Sequence, residues 1–226
     1  LNYSYGLVDD MEMFTDKFPI KDISFADENM KNLLYDDLLK KIGIYFLCSH
    51  LGNINAMRAF FRSGEIVDDI KVNLFLEAKQ CQVFKNFINS ISSDNPITTY
   101  SVDNIDVTTS IEIKEKIDNG EILFIAGDRV SAHNENAMFI SDFLGQKMGF
   151  PIGAFKFALI LDAPIYFIAC TLEKGGKYKI HLQKFDFFGT RKEKLQTLET
   201  QYVQFLENLT KKYPLQLYHF FEFFLG

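Results

Sequence analysis

This sequence predicts an α/β fold of layered strands and helices in a single domain. Two observations carry that prediction. Apolar runs of strand length alternate along the chain with stretches of helical periodicity. No repeat, low-complexity tract or linker interrupts them, so residues 1–226 read as one domain. Composition agrees, since 47% hydrophobic residues over this length suffice for a substantial core.

The elements follow in order. Residues 1–27 read as an irregular entry segment. A helix is expected over 28–41, with Met30, Leu33, Leu34, Leu38 and Leu39 on one side. The run 42–48 is a buried strand, and Asn53 stands ready to cap a helix reaching about residue 62. Residues 70–76 alternate as a second strand, and 79–91 carry Val83, Phe84, Phe87 and Ile88 at helical spacing. A short strand over 98–102 precedes a helix over 110–119 that stops at Gly120. Residues 121–126 form a further buried strand. A short strand over 138–144 and a helix over 153–161 come next. Strands over 164–171 and 177–183 close a hairpin around Lys174-Gly175-Gly176. A long helix covers 193–212, and the tail from Pro214 is strongly aromatic.

Charge narrows the function classes. Net charge is −6 with a pI near 5.3, which argues against a nucleic-acid binder. One local basic run stands out: Lys174, Lys177, Lys179, Lys184, Arg191, Lys192 and Lys194. It reads either as a solvated surface or as a docking face for anionic headgroups or an acidic carrier protein. Phe occurs 24 times and Trp never. Such a Phe content builds cores, lines acyl-chain tunnels or rests on lipid. Cys48, Cys81 and Cys170 have no metal-like spacing and read as reduced core residues. No metal site is expected. No signal peptide opens the chain, and no apolar stretch reaches 18 residues. The sequence begins at Leu1 without Met, which leaves room for a preceding region and an anchor on it.

The strand over 42–48 stops at Ser49-His50-Leu51-Gly52-Asn53, which puts a proton acceptor at the tip of a strand–loop–helix turn. The strand over 121–126 ends in Gly127-Asp128-Arg129. If the two strands are parallel, both loops lie on one edge of the sheet. His50 would then deprotonate a hydroxyl or amine. The planar fork of Arg129 suits a phosphate or carboxylate. The bland readings stay open: a structural histidine beside a core strand, and a local Asp128–Arg129 turn pair. His133 reads as a surface-loop residue, and His181 and His219 as structural or exposed.

Further blocks follow in order: Phe143-Leu144-Gly145, Phe150-Pro151-Ile152-Gly153 and Ala163-Pro164-Ile165-Tyr166. With Ser49-His50-Leu51-Gly52-Asn53 and Gly127-Asp128-Arg129-Val130, and with the aromatic tail from Pro214, the chain resembles the bacterial lipid A biosynthesis acyltransferase family. That family lies within the wider glycerolipid acyltransferase superfamily, and the resemblance is to its soluble-looking branch. It runs from about Tyr45 to the C-terminus. Each block is weak alone, whereas five in order are fairly specific.

The resemblance implies a glycerolipid acyltransferase-like α/β fold, with a mixed, mostly parallel central sheet flanked by helices. It implies transfer of a fatty acyl group from an acyl carrier protein or coenzyme A thioester to a hydroxyl or amine of a lipid or glycolipid acceptor. No cofactor beyond that thioester co-substrate is implied. The expected location is the cytoplasm, peripheral to the inner face of the membrane; the Phe-rich tail over 220–225 reads either as the apolar contact or as packing under the sheet. His50 matches the family's general base. The acid expected five residues on is replaced by Asn55. An Asn carbonyl can accept from Nδ1–H but supplies no charge to stabilise an imidazolium. Asp128 or Glu65 are the alternative carboxylates. Arg129 matches the block that engages substrate phosphate or carboxylate. Gly52, Asn53, Asp128, Pro151 and Gly153 complete the expected substrate-binding set, with backbone N–H groups near Gly52 as oxyanion donors. The departure at Asn55 also motivates a second reading, a catalytically impaired relative that binds lipid headgroups or carrier proteins. A hydrolase using His50 as base is the third; no Gly-x-Ser-x-Gly elbow supports it.

Overall fold

A computed structural model describes residues 9, 12–13, 17–63, 70–82, 86, 97–130, 137–186, 188–218 and 224. It is α/β, with seven strands in one sheet. These are β1 (Ile23–Phe25), β2 (Ile44–Cys48), β3 (Val72–Leu76), β4 (Ile97–Ser101), β5 (Ile122–Ala126), β8 (Ile165–Leu172) and β9 (Tyr178–Lys184). Their order is β1-β9-β8-β2-β5-β3-β4. Every neighbouring pair is parallel except β8 with β9. The remaining two strands, β6 (Met138–Phe143) and β7 (Gln146–Pro151), form a separate antiparallel hairpin.

The central strands are buried along their length: every residue of β2 is buried, as are Ile122–Ile125 of β5. That is why they read as continuous apolar runs instead of alternating ones. Helices cover both faces. On one lie α1 (Glu28–Leu39) and α2 (Ile54–Arg62), whose Leu34, Leu38, Ala56, Met57 and Phe60 share a core with Phe46, Phe124 and Tyr166. Phe46 stacks on Phe124 with centroids 4.7 Å apart. On the other lie α3 (Val107–Asp118), α4 (Ile152–Leu161) and α5 (Arg191–Lys212). Tyr202 of α5 centres that second core, edge-on to Phe150, Phe155 and Phe167. Most phenylalanines among the described residues are thus packed into these cores, whereas Phe188 is exposed.

The connection leaving β2 passes through α2 on one face, and the connection leaving β5 passes to α4 on the other. Adjacent parallel strands whose loops part to opposite faces open a crevice at their C-terminal ends. Cys48 and Ala126 end side by side there, in register.

The structure departs from the expected elements in three places. The entry segment contributes β1, too short at three residues to show a pattern. β7 went unforeseen because Gly149 and Pro151 argue against a strand; it is tolerated as half of a two-stranded hairpin. The hairpin turns through Leu144 and Gly145, both at positive φ, 53° and 81°. Helix α3 begins at Val107, not 110, because Asp106 caps it by accepting the Thr109 N–H at 2.7 Å. Residues 78–82 are helical, and most of the expected helix to 91 lies outside the described residues.

Candidate functional site

The turn after β2 is held by backbone geometry that only its own residues permit. Gly52 sits at φ +75°, and a Cβ there would fall 2.0 Å from the carbonyl oxygen of Cys170. Asn53 caps α2, its Oδ1 accepting from the N–H of Asn55 at 2.8 Å and of Ala56 at 3.3 Å. Its own N–H donates to Cys170 O at 2.7 Å. The turn after β5 is also closely packed, though less tightly. Gly127 N–H donates to Cys48 O at 3.0 Å, and the Tyr202 hydroxyl donates to the same oxygen at 2.9 Å. A Cβ on Gly127 would come within 3.1 Å of the Tyr202 ring.

These two turns bring His50 onto Asp128. His50 Nδ1 lies 2.8 Å from Asp128 Oδ1, and the His50 backbone N–H donates to Asp128 Oδ2 at 2.7 Å. The carboxylate side chain is fully buried, while the imidazole is 31% exposed. A carboxylate only accepts, so Nδ1 carries the proton and Nε2 presents its lone pair. Both carboxylate oxygens face His50, which fixes the ring's tautomer and the backbone that carries it.

The ring borders a cavity of about 360 Å³. Its walls are mostly apolar: Leu74, Phe75, Leu76, Val102, Phe124 and Ala126, with Asn55 and Arg129 among the polar lining. Cys48 also lines it, but burial, aided by the Asp128 charge, pushes its thiol far up, so it is no nucleophile. A second cavity of about 430 Å³ adjoins, lined by Pro151, Gly153 and Ala154 at the start of α4 together with Asp103 and Ile105. Val102, Ala126 and Arg129 border both.

The C-terminal segment crosses this edge. Leu217 pairs with Leu51, and Gly52 N–H donates to Gln216 O at 2.8 Å. Tyr218 N–H donates to His50 O at 3.1 Å, and Arg129 Nη2 donates to Tyr218 O at 2.8 Å. Tyr218 lines the first cavity.

Of the residues singled out in the sequence, His50, Gly52, Asn55 and Arg129 meet at one cavity. Pro151 and Gly153 border the neighbouring one. Three expectations change. Nδ1 of His50 is met by Asp128, not by Asn55, which lines the cavity from the first turn of α2. Asp128 and Asn53 border neither cavity; the first faces His50 and the second caps a helix. The backbone N–H groups of residues 50–53 are all engaged within the protein, so Gly52 offers no oxyanion donor. Glu65, His133 and His219 lie outside the described residues, as does 219–223 of the tail; Phe224 pairs with Met148. The basic run does not make one face. Lys174 and Lys177 flank the β8–β9 turn at the site's edge, whereas Arg191–Lys194 open α5 beyond the opposite ends of those strands, and Lys184 pairs with Asp37 at 2.7 Å. Gln216 and Tyr218 gave no signal in the sequence beyond membership of the aromatic tail.

No group of His, Cys, Asp or Glu among the described residues is arranged to hold a metal ion. No helix among them is long and apolar enough to cross a membrane. Compared with known proteins, the chain matches no protein family and no curated protein.

Proposed function

We propose that the chain is an acyltransferase moving a fatty acyl group from a carrier-protein or coenzyme A thioester to a hydroxyl or amine of a lipid-type acceptor. One observation carries the reading: an imidazole whose Nδ1 is fixed by a buried carboxylate at 2.8 Å borders a largely apolar cavity that also holds a guanidinium. The ordered blocks described above support it.

In this reading, Nε2 of His50 takes the proton of the acceptor's hydroxyl or amine. The acceptor atom attacks the thioester carbonyl carbon, and a tetrahedral oxyanion forms. Its collapse forms the new ester or amide, breaks the C–S bond, and expels a thiolate that takes the proton back from the imidazolium. Asp128 stabilises the imidazolium between those steps, a role that needs a full negative charge. Leu74, Phe75, Leu76 and Phe124 shed water around the acyl chain. Arg129 holds an anionic group of one substrate. The reading as an impaired binding module rested on Asn55, and Asp128 supplies the charge that Asn55 lacks.

The test is thiol release and product formation from an acyl-thioester donor with lipid acceptors, wild type against His50→Ala. A loss of about 10²–10⁴-fold is expected. Equal rates in the two proteins would sink the mechanism.

A further inference from the structure

Four lysines gather where the β8–β9 hairpin meets the end of α5, at the sheet edge that carries His50. Lys174 and Lys177 stand exposed on the hairpin turn. Tyr178, Ile180 and Leu182 of β9 enter the core on one face, so Lys179 projects from the other, beside His181. Lys212 ends α5 against that second face. Its Nζ lies 5.2 Å from the centre of the Tyr213 ring, that ring packs 5.6 Å from His181, and Lys212 and Lys179 both hold the His181 pKa down. The carboxylates nearby are engaged. Glu173 accepts from the Tyr213 hydroxyl at 2.6 Å, Glu207 pairs with Lys211 at 2.6 Å, and Asp9 accepts from the Tyr178 hydroxyl at 2.7 Å on the opposite face of β9. Lysine outnumbers carboxylate here, in a chain whose net charge is −6. A turn of 3-10 helix, Pro214–Gln216, follows α5 and holds Leu215 outward, 79% exposed. The Gln216 side chain bonds both backbone groups of Leu172 at 2.8 Å, at the root of the hairpin, so leucine and lysines share one corner of the molecule.

We propose that this corner docks the protein on an anionic bilayer. Leu215 enters the boundary of the acyl chains, Lys174, Lys177, Lys179 and Lys212 meet the lipid phosphates, and the edge that holds His50 turns toward the membrane. This goes beyond the acyl-transfer reading and does not depend on it. Binding strength at a lipid surface adds apolar insertion to attraction for anionic headgroups, and the corner supplies both. The lysine stems lie along the apolar boundary while their ammonium groups stay in water. The shape favours a bilayer over an acidic protein. Leu215 and the lysines sit on two projecting turns, and a protein partner would need a hollow matched to the leucine, whereas a bilayer yields wherever it is touched. The opposite end of the hairpin strands provides the contrast. Arg191, Lys192 and Lys194 open α5 there, but Glu193 is among them and caps the helix by accepting the Thr190 N–H at 2.7 Å.

The experiment is vesicle co-sedimentation of the whole chain, with phosphatidylglycerol and phosphatidylcholine in equal parts against phosphatidylcholine alone. Wild type should bind the anionic vesicles and hardly the neutral ones. Replacing Lys174, Lys177 and Lys212 together by Gln should weaken binding about 10²-fold, at about fivefold per lysine. Replacing Arg191, Lys192 and Lys194 by Gln removes the same charge at the far end and should cost less than about threefold. Leu215→Ser should weaken binding about tenfold, and that loss should persist in high salt while the lysine effect fades. All the replaced side chains are exposed, so the fold is kept. Equal binding to neutral and anionic vesicles, equal losses from the two charge triples, or no loss from Leu215→Ser would each overturn the docking corner. Wild type that ignores vesicles but binds an isolated acidic carrier protein through Lys174, Lys177 and Lys212 would assign the corner to a protein instead. His50→Ala should bind vesicles as wild type does, so this proposal and the acyl-transfer reading can fail separately.

Discussion

His50 and His181 flank the same strand, yet the protein treats them oppositely. His181 lies on β9 directly across from Ala169 of β8, while the His50 turn touches β8 one residue further on, where Gly52 meets Cys170. His181 is 7% exposed and meets a neutral hydroxyl, Thr171 Oγ1, at 2.9 Å. Burial pushes its pKa down to about 4, helped by the nearby Lys212 and Lys179 and opposed by Glu173. It is a neutral core side chain. His50 meets a buried carboxylate and borders a cavity. His181 meets its hydroxyl through Nε2 and His50 its carboxylate through Nδ1, so a histidine's task is decided by the group that meets the ring and the space beside it, not by the strand nearby.

The largest effect that sharpens the contrast is at Asp128. Asp128→Asn keeps the shape but gives His50 a neutral partner, as His181 has. The new amide can also turn its N–H₂ toward Nδ1 and favour the wrong tautomer. Acyl transfer should fall by about 10³–10⁴-fold, with thermal stability changed far less than activity. A rate within tenfold of wild type would mean that the carboxylate only orients the turn and that His50 needs no charge beneath it.

The mirror experiment is at His181. Its folded pKa, about 4, lies below the ordinary 6.5. Between those values the unfolded chain binds a proton that the folded chain does not, so stability is full above pH 6.5 and drains as pH falls toward 4. The contribution by pH 4.5 is on the order of 2 kcal/mol. His181→Gln removes that titration. Its melting temperature should fall less than wild type's between pH 7 and 4.5, and acyl transfer at neutral pH should be unaltered. Parallel melting curves across that range would show that His181 charges within the fold.

Much of this contrast was legible in the chain. The strand that delivers His50 and the strand that delivers Arg129 follow from apolar runs with the right turns after them; the edge they share needed the parallel pairing of β2 with β5. The α/β class followed from alternation. What was not legible depends on long-range closure. Asp128 lies 78 residues from His50, and its carboxylate could be read as a turn partner of Arg129 until the β2–β5 register placed it. Gln216 is polar in an aromatic tail, and nothing local says that its amide fits the backbone of Leu172. The supposed oxyanion donor at Gly52 failed for the same reason: the C-terminal segment that engages its N–H arrives from the far end of the chain.

The smallest expected effect decides which acid matters. Position 55 is where a glutamate or aspartate would complete the familiar histidine motif, and Asn55 does line the cavity. Asn55→Glu restores that acid. Were Asn55 a degraded partner, activity would climb steeply. But Nδ1 already faces Asp128 at 2.8 Å, and one imidazole nitrogen carries one proton to donate. A new carboxylate in the first turn of α2, which has no acidic residue now, instead meets the helix's positive end and favours folding by about 0.3–1 kcal/mol. Acyl transfer should therefore change by less than about threefold, because His50 keeps its Asp128 partner, while the melting temperature rises slightly. A gain of tenfold or more would return the acid's role to position 55. His50 would then stand closer to His181 than the Asp128 contact implies: a histidine fixed by its surroundings and still awaiting the charge that makes it a base.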